Sequence, residues 1–370
     1  MSSPVHRLPP EVLAMILEHF KPIPPCPDSR NSLFDFLLVC RTWYDTIIGT
    51  PQLWAFLYLD MPLEIARLVL TRSQMHPLSI NSRAYGMRFQ WHKPHNETEI
   101  LEMALGHSTR VKCVNVRVHD LRHSGLQKLL KSPTPALETL QVHADYRRSF
   151  ELDASGLLDE LTPSEGTPLK HLSLYDIPTR LDHPRLSNLI TLKLSQRAVP
   201  HSPEPLLHLL SCSHRLEVLD ISDLTESIQG VRATAPILLQ HLETLSLRDM
   251  PGKYTATILA SICTPSCSVI EVRDNRVRAW EDAVVVEELD AIIWKPGNHQ
   301  AATLVGGPDS SKAPSMLNIG VSDGCVIVES HGMLGGELAL EFTRAHIPRF
   351  MAHLAETLSQ LPHPPVVYLR

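Results

Sequence analysis

One short pattern returns along the middle of the chain: LETLQV from Leu137, LKHLSL from Leu169, LITLKL from Leu189, LEVLDI from Leu216 and LETLSL from Leu242. The copies start 32, 20, 27 and 26 residues apart. Side chains alternate along a strand, so the last two apolar positions of each copy share one face. A single such strand cannot bury that face alone; repeated at this interval, each strand buries it against its neighbours. Looser copies, VKCVNVRV from Val111 and SVIEVRD from Ser268, lengthen the series. Strands that all run the same way need crossovers. Helical patterns fill several of the gaps, at Asn96–Leu105, Gly125–Leu130, Pro205–Leu210 and Tyr254–Ile262. Asn96 and Glu99 have the spacing of a capping-box variant at the start of the first.

The strand form and the interval resemble leucine-rich repeats, in which parallel strands line a curved solenoid and helices lie outside. The position that would carry Asn or Cys in that family is Ile177, Leu224 or Met250, each preceded by an aspartate: Asp176, Asp223 and Asp249. The loops after the strands are therefore expected to be non-standard. With Leu140, Leu172, Leu219 and Leu245 pointing inward, their neighbours face the opposite side: Thr139, Gln141 and His143; His171, Ser173 and Tyr175; Asp220 and Ser222; Thr244, Ser246 and Arg248; Glu271 and Arg273. Of these, Gln141, His143, Ser173, Tyr175, Asp220, Ser246, Arg248, Glu271 and Arg273 are the candidate target-binding residues. The same row also suits an ordinary solvated sheet face.

The N-terminal sixty residues follow another rule. Leu8-Pro9-Pro10-Glu11 opens a helix, because proline fits the first turn and a carboxylate suits its positive end. Val12, Leu13, Ile16, Leu17 and Phe20 recur at helical spacing as one expected apolar stripe. KPIPPCPDSR (21–30) ends the helix. A second helix is expected from Ser32, with Leu33, Phe34, Leu37, Leu38 and Cys40 facing inward and Trp43 following. Pro51-Gln52-Leu53-Trp54 predicts a short turn of helix, and Ala55 to Leu59 a strand. Aromatics are only 5% of the chain, yet Trp43, Tyr44, Trp54, Phe56 and Tyr58 crowd here. A unit this small has little interior, and each buried aromatic removes roughly 150–250 Å² from water.

Three of these stretches, Leu8-Pro-Pro-Glu-Val-Leu, Leu38-Val-Cys-Arg-Thr-Trp-Tyr and Thr50-Pro-Gln-Leu-Trp, together resemble an F-box domain, in a version similar to the F-box-like proteins of mushroom-forming fungi. The resemblance covers about residues 8–60. It implies binding to a Skp-type adaptor and, through it, to a cullin. Matched position by position, it implies Leu8, Pro9, Leu13, Ile16, Val39, Cys40 and Trp43 as adaptor-binding residues. Leu13, Ile16 and Trp43 also have the spacing of core positions.

The expected fold class is thus α/β: a small N-terminal three-helix F-box, then an irregular leucine-rich-repeat solenoid with parallel strands and outer helices. The expected domains are 1–60, 61–294 for the repeats, a mobile loop at 295–315, and capping strands with a helix at 316–370. A net charge of -6 argues against a nucleic-acid partner. The start lacks the apolar core of a secretory signal, and no run reaches a membrane span. Seven cysteines without a framework of spacings suit a reducing compartment, so the chain is expected in cytoplasm or nucleus. Asn96-Glu97-Thr98 is read as a helix start rather than a glycosylation site.

Little points to catalysis. Cys263 and Cys267 share one turn without a second cluster, and His92 and His95 sit in a loop, so no metal or cofactor is expected. HGMLGG (331–336) is similar to an esterase oxyanion loop, but no G-x-S-x-G accompanies it. The expectation is a non-enzymatic subunit, monomeric outside its complex, that recognises a target protein for a cullin-based ubiquitin ligase. The alternative is a non-catalytic repeat scaffold acting outside any ligase.

Overall fold

The computed structural model describes residues 8–19, 33–82, 96–118, 125–144, 169–200, 202–224, 236–264, 266–267, 269–273, 316–322, 325–331, 336–341 and 366–369. The expected loop at 295–315 and amphipathic helix at 346–361 lie outside them. The described residues up to Ala144 belong to one compact unit and those from Leu169 onward to a second.

In the first unit, helices α1 (Pro10–His19), α2 (Leu33–Leu37) and α3 (Arg41–Gly49) precede a 3-10 turn at Pro51–Trp54 and strand β1 (Phe56–Tyr58). The expected second helix is two pieces. Cys40 is extended (φ -166°, ψ 172°), and Leu38 and Val39 form the turn between α2 and α3. The break has a packing reason: Phe34 meets Trp54 edge-on at 6.2 Å while Phe36 packs on Trp43 at 5.5 Å. A straight helix would set the backbones of Phe36 and Trp43 about 10 Å apart. Leu38, expected inward, is 85% exposed as a result.

Strand and helix then alternate: α4 (Leu63–Arg72), β2 (Leu78–Asn81), α5 (Glu97–Leu105), β3 (Val111–Val118), α6 (Gly125–Lys131) and β4 (Thr139–Ala144). β1 to β4 pair in chain order, all parallel. Their inward residues (Leu57, Ile80, Val114, Val116, Leu140 and Val142) are fully buried, as are Ala66, Ile100, Leu101, Leu126 and Leu129 of the helices. Gly125 marks a close approach of α6 to α5, since a Cβ there would lie 2.8 Å from that of Leu101. The capping box is not formed. Asn96 Nδ2 instead donates to the Met61 carbonyl at 3.5 Å, and its side chain does not cap α5.

The second unit holds β5 (His171–Tyr175), β6 (Thr191–Ser195), α7 (Pro203–Cys212), β7 (Val218–Ser222), β8 (Ile237–Leu238), β9 (Thr244–Arg248), α8 (Gly252–Ser261), β10 (Ile262–Cys263) and β11 (Val269–Arg273). β5, β6, β7, β9 and β11 form a parallel sheet in that order, and β8 pairs with β10 apart from it. β14 (Gly336–Glu341) joins β11 in parallel; β13 (Cys325–His331) and β12 (Met316–Ser322) follow antiparallel, and β15 (Val366–Leu369) pairs with β12 in parallel. All three apolar positions of every close copy of the repeated pattern are buried, including Leu137, Leu169, Leu189, Leu216 and Leu242 at the first. Where copies are 20 residues apart, only a 3-10 turn (Pro184–Leu186) fits between strands, not a helix.

The aspartates singled out in the sequence explain the unusual loops. Asp176, Asp223 and Asp249 follow β5, β7 and β9 with φ of 59°, 61° and 52°, and Gln196 follows β6 with 55°. Aspartate tolerates this left-handed conformation better than most residues. The N–H groups of Asp176 and Asp223 still donate to the carbonyls of Ser195 and Arg248 at 3.0 Å, so pairing runs one residue past the strand. The chain then turns inward, burying Ile177, Leu224 and Met250.

Candidate protein-interaction site

The N-terminal helices are organised around Trp54, which is 1% exposed. Its indole N–H donates to the Ile47 carbonyl at 2.8 Å near the end of α3. Phe34 abuts its ring, and the Arg72 guanidinium from α4 lies 5.2 Å from the ring centroid. That placement favours a cation over the ring face. Leu13, Ala14 and Leu17 of α1, Leu33 of α2, Ile47 of α3 and Leu53 are buried with it.

With that core filled, several large apolar side chains remain outside. Val12, Met15 and Ile16 on α1, Leu38 and Val39 in the α2–α3 turn, and Tyr44 on α3 are all exposed, Met15 by 61% and Val39 by 56%. The expected stripe on α1 is thus divided: Leu13 and Leu17 face inward, Val12 and Ile16 outward, and Phe20 lies outside the described residues. A shallow groove between α1 and α3 is lined by Glu11, Met15, Asp45, Gly49 and Gln52, among others.

The residues implied as adaptor-binding separate in the same way. Pro9, Ile16 and Val39 are exposed, whereas Leu8, Cys40 and Trp43 are half-buried. Leu13 is core, at 1% exposure, and is not on the surface. Trp43 leans on Phe36, with its indole nitrogen buried and without a hydrogen-bond partner. Met15, Leu38 and Tyr44 were not among the implied residues. Their types allow core or surface, and for Leu38 the helix break decides.

Residues 5–60 match the F-box-like family. They are an F-box-like domain. Such domains generally bind Skp-type adaptors, which points to a protein-interaction role for this part of the chain. No curated protein and no solved structure matches the chain.

The polar face of the strands is the second candidate surface. In the first unit, Gln141 lies across from Asn115 and His143 from Arg117. Burial, aided by the Arg117 charge, pushes the His143 imidazole below its usual range. In the second unit, register sets Ser173, Lys193, Asp220, Ser246 and Glu271 in one lateral row, and Tyr175, Ser195, Ser222 and Arg248 in the next. These side chains are largely occupied with one another. Arg248 Nη2 donates to both Asp220 oxygens at 2.8 and 2.9 Å. Ser246 donates to Glu271, Ser222 to Ser195, and Ser195 to Asp223, each at 2.9 Å. Gln196 Nε2 donates to the Tyr175 hydroxyl at 2.8 Å. The hydrogen bond to Asp220 holds the Arg248 guanidinium above its ordinary pKa, with burial opposing and Glu271 and Asp223 adding to the rise.

Of the candidate target-binding residues, Gln141 and His143 thus lie in the first unit, and Ser173, Tyr175, Asp220, Ser246, Arg248 and Glu271 in the second. The side chain of Arg273 lies outside the described set. Thr191, Lys193 and Ser195 were missed, although the copy from Leu189 places them on the same face by the same alternation. Lys193 is exposed there.

A further residue gave no signal in the sequence. Arg110 is buried, donating to the carbonyls of His76 (2.7 Å) and Leu70 (3.2 Å) and to Ser73 Oγ (3.0 Å). It places a cation at the C-terminal end of α4, where the helix dipole favours one. Burial lowers its pKa.

Cys263 and Cys267 do not form a disulfide. Cys267 is buried, its thiol pushed up to about 11 mainly by burial, and it donates to the carbonyls of Val269 and Glu243. Among the described residues, no three potential metal-ligating side chains gather, and no helix is long and apolar enough to cross a membrane.

Proposed function

We propose that this chain is the substrate-recognition subunit of a cullin-based ubiquitin ligase. The F-box-like domain docks on a Skp-type adaptor, and the strand-rich remainder, read as an irregular leucine-rich-repeat solenoid, holds a target protein. The chain supplies no catalytic group. It acts by proximity, raising the effective concentration of a target lysine near a recruited ubiquitin-conjugating enzyme. It works as a monomer outside its complex, in cytoplasm or nucleus, on neither nucleic acid nor membrane.

The observation that carries this reading is the family match over residues 5–60 together with apolar side chains left outside a filled core. The side chains of Leu38 and Val39 face solvent, 85% and 56% exposed. They gain burial, roughly 25 cal/mol per Å² of apolar surface, only when a partner covers them. The test is co-purification with the host's Skp-type adaptor, followed by assembly with the cullin and a ubiquitin-transfer assay. Adaptor binding with ubiquitin transfer to a co-purifying protein is the expected result. Adaptor binding without transfer to any bound protein favours a scaffold outside the ligase. A folded chain that ignores the adaptor ends the ligase reading.

A further inference from the structure

We draw no further inference here: the strongest candidate, the polar patch of Ser195, Asp220, Ser222, Asp223 and Arg248 on and just after β6, β7 and β9, hydrogen-bonds largely within itself, and nothing in the structure shows what covers it.

Discussion

The N-terminal helices and the repeated strands solve the burial problem in opposite ways. The helices have few residues and close a small core with one tryptophan, leaving Val12, Met15, Ile16, Leu38, Val39 and Tyr44 outside. The strands bury every leucine of the repeated pattern and present a face whose polar groups bond to each other. An exposed apolar cluster points to a partner by its own chemistry. A polar face whose groups bond largely to each other does so less, because a partner must first replace bonds already made. This is why the first region is readable as an adaptor surface while the second leaves the target's chemistry open.

The largest effect should come from Trp54→Ala, which removes the centre of the helical core along with its hydrogen bond to Ile47. A loss of about 3–5 kcal/mol is expected for such a truncation. Chemical denaturation of the full chain reads it. A loss under 1 kcal/mol would mean that the helices do not depend on one aromatic as argued.

Next comes Gly125→Ala, where the added Cβ meets Leu101 at 2.8 Å. Overpacking of this kind costs about 1–3 kcal/mol. A lower thermal midpoint is expected even though alanine is the better helix former. An unchanged or higher midpoint would show that α5 and α6 are not so closely held.

On the polar face, a double-mutant cycle of Arg248→Ala and Asp220→Asn should return a coupling of no more than about 1 kcal/mol, since the pair is partly solvated. A coupling several times larger would make this face a principal source of stability, and the contrast with the helices would weaken. The smallest effect has the opposite sign. Gln74 is exposed, with φ of 49°, so Gln74→Gly relieves left-handed strain at the cost of backbone freedom. A gain of about 0.5–1 kcal/mol is expected in the same denaturation assay.

How far the sequence foretold this depends on the kind of signal. The strands from Thr139, His171, Thr191, Val218 and Thr244 were legible because leucines two apart commit a segment to one buried face. The helical ends were legible through proline: Pro10 starts α1 and Pro51 starts the turn that delivers Trp54. The break at Leu38–Cys40 was not, because both residues before Cys40 are apolar and continue the helical pattern. With the break in place, Trp54 and Trp43 each pack on a phenylalanine of α2. Arg110 was invisible because two of its three partners are carbonyls, which no side-chain pattern reveals. The aspartates after the strands were visible as a departure from the repeat, but their left-handed backbone was not.

The central claim is that the apolar residues left outside the helical core form a docking surface. The direct measurement is a titration of the full chain with a Skp-type adaptor, beside the double variant Leu38→Asp/Val39→Asp. Both side chains are exposed, so folding should survive, with an unchanged denaturation midpoint. Burying two carboxylates against an apolar partner costs several kcal/mol, so the account predicts saturable binding for the native chain and affinity lower by about 100-fold or more for the variant. Equal binding by both chains, or binding by neither, would contradict it.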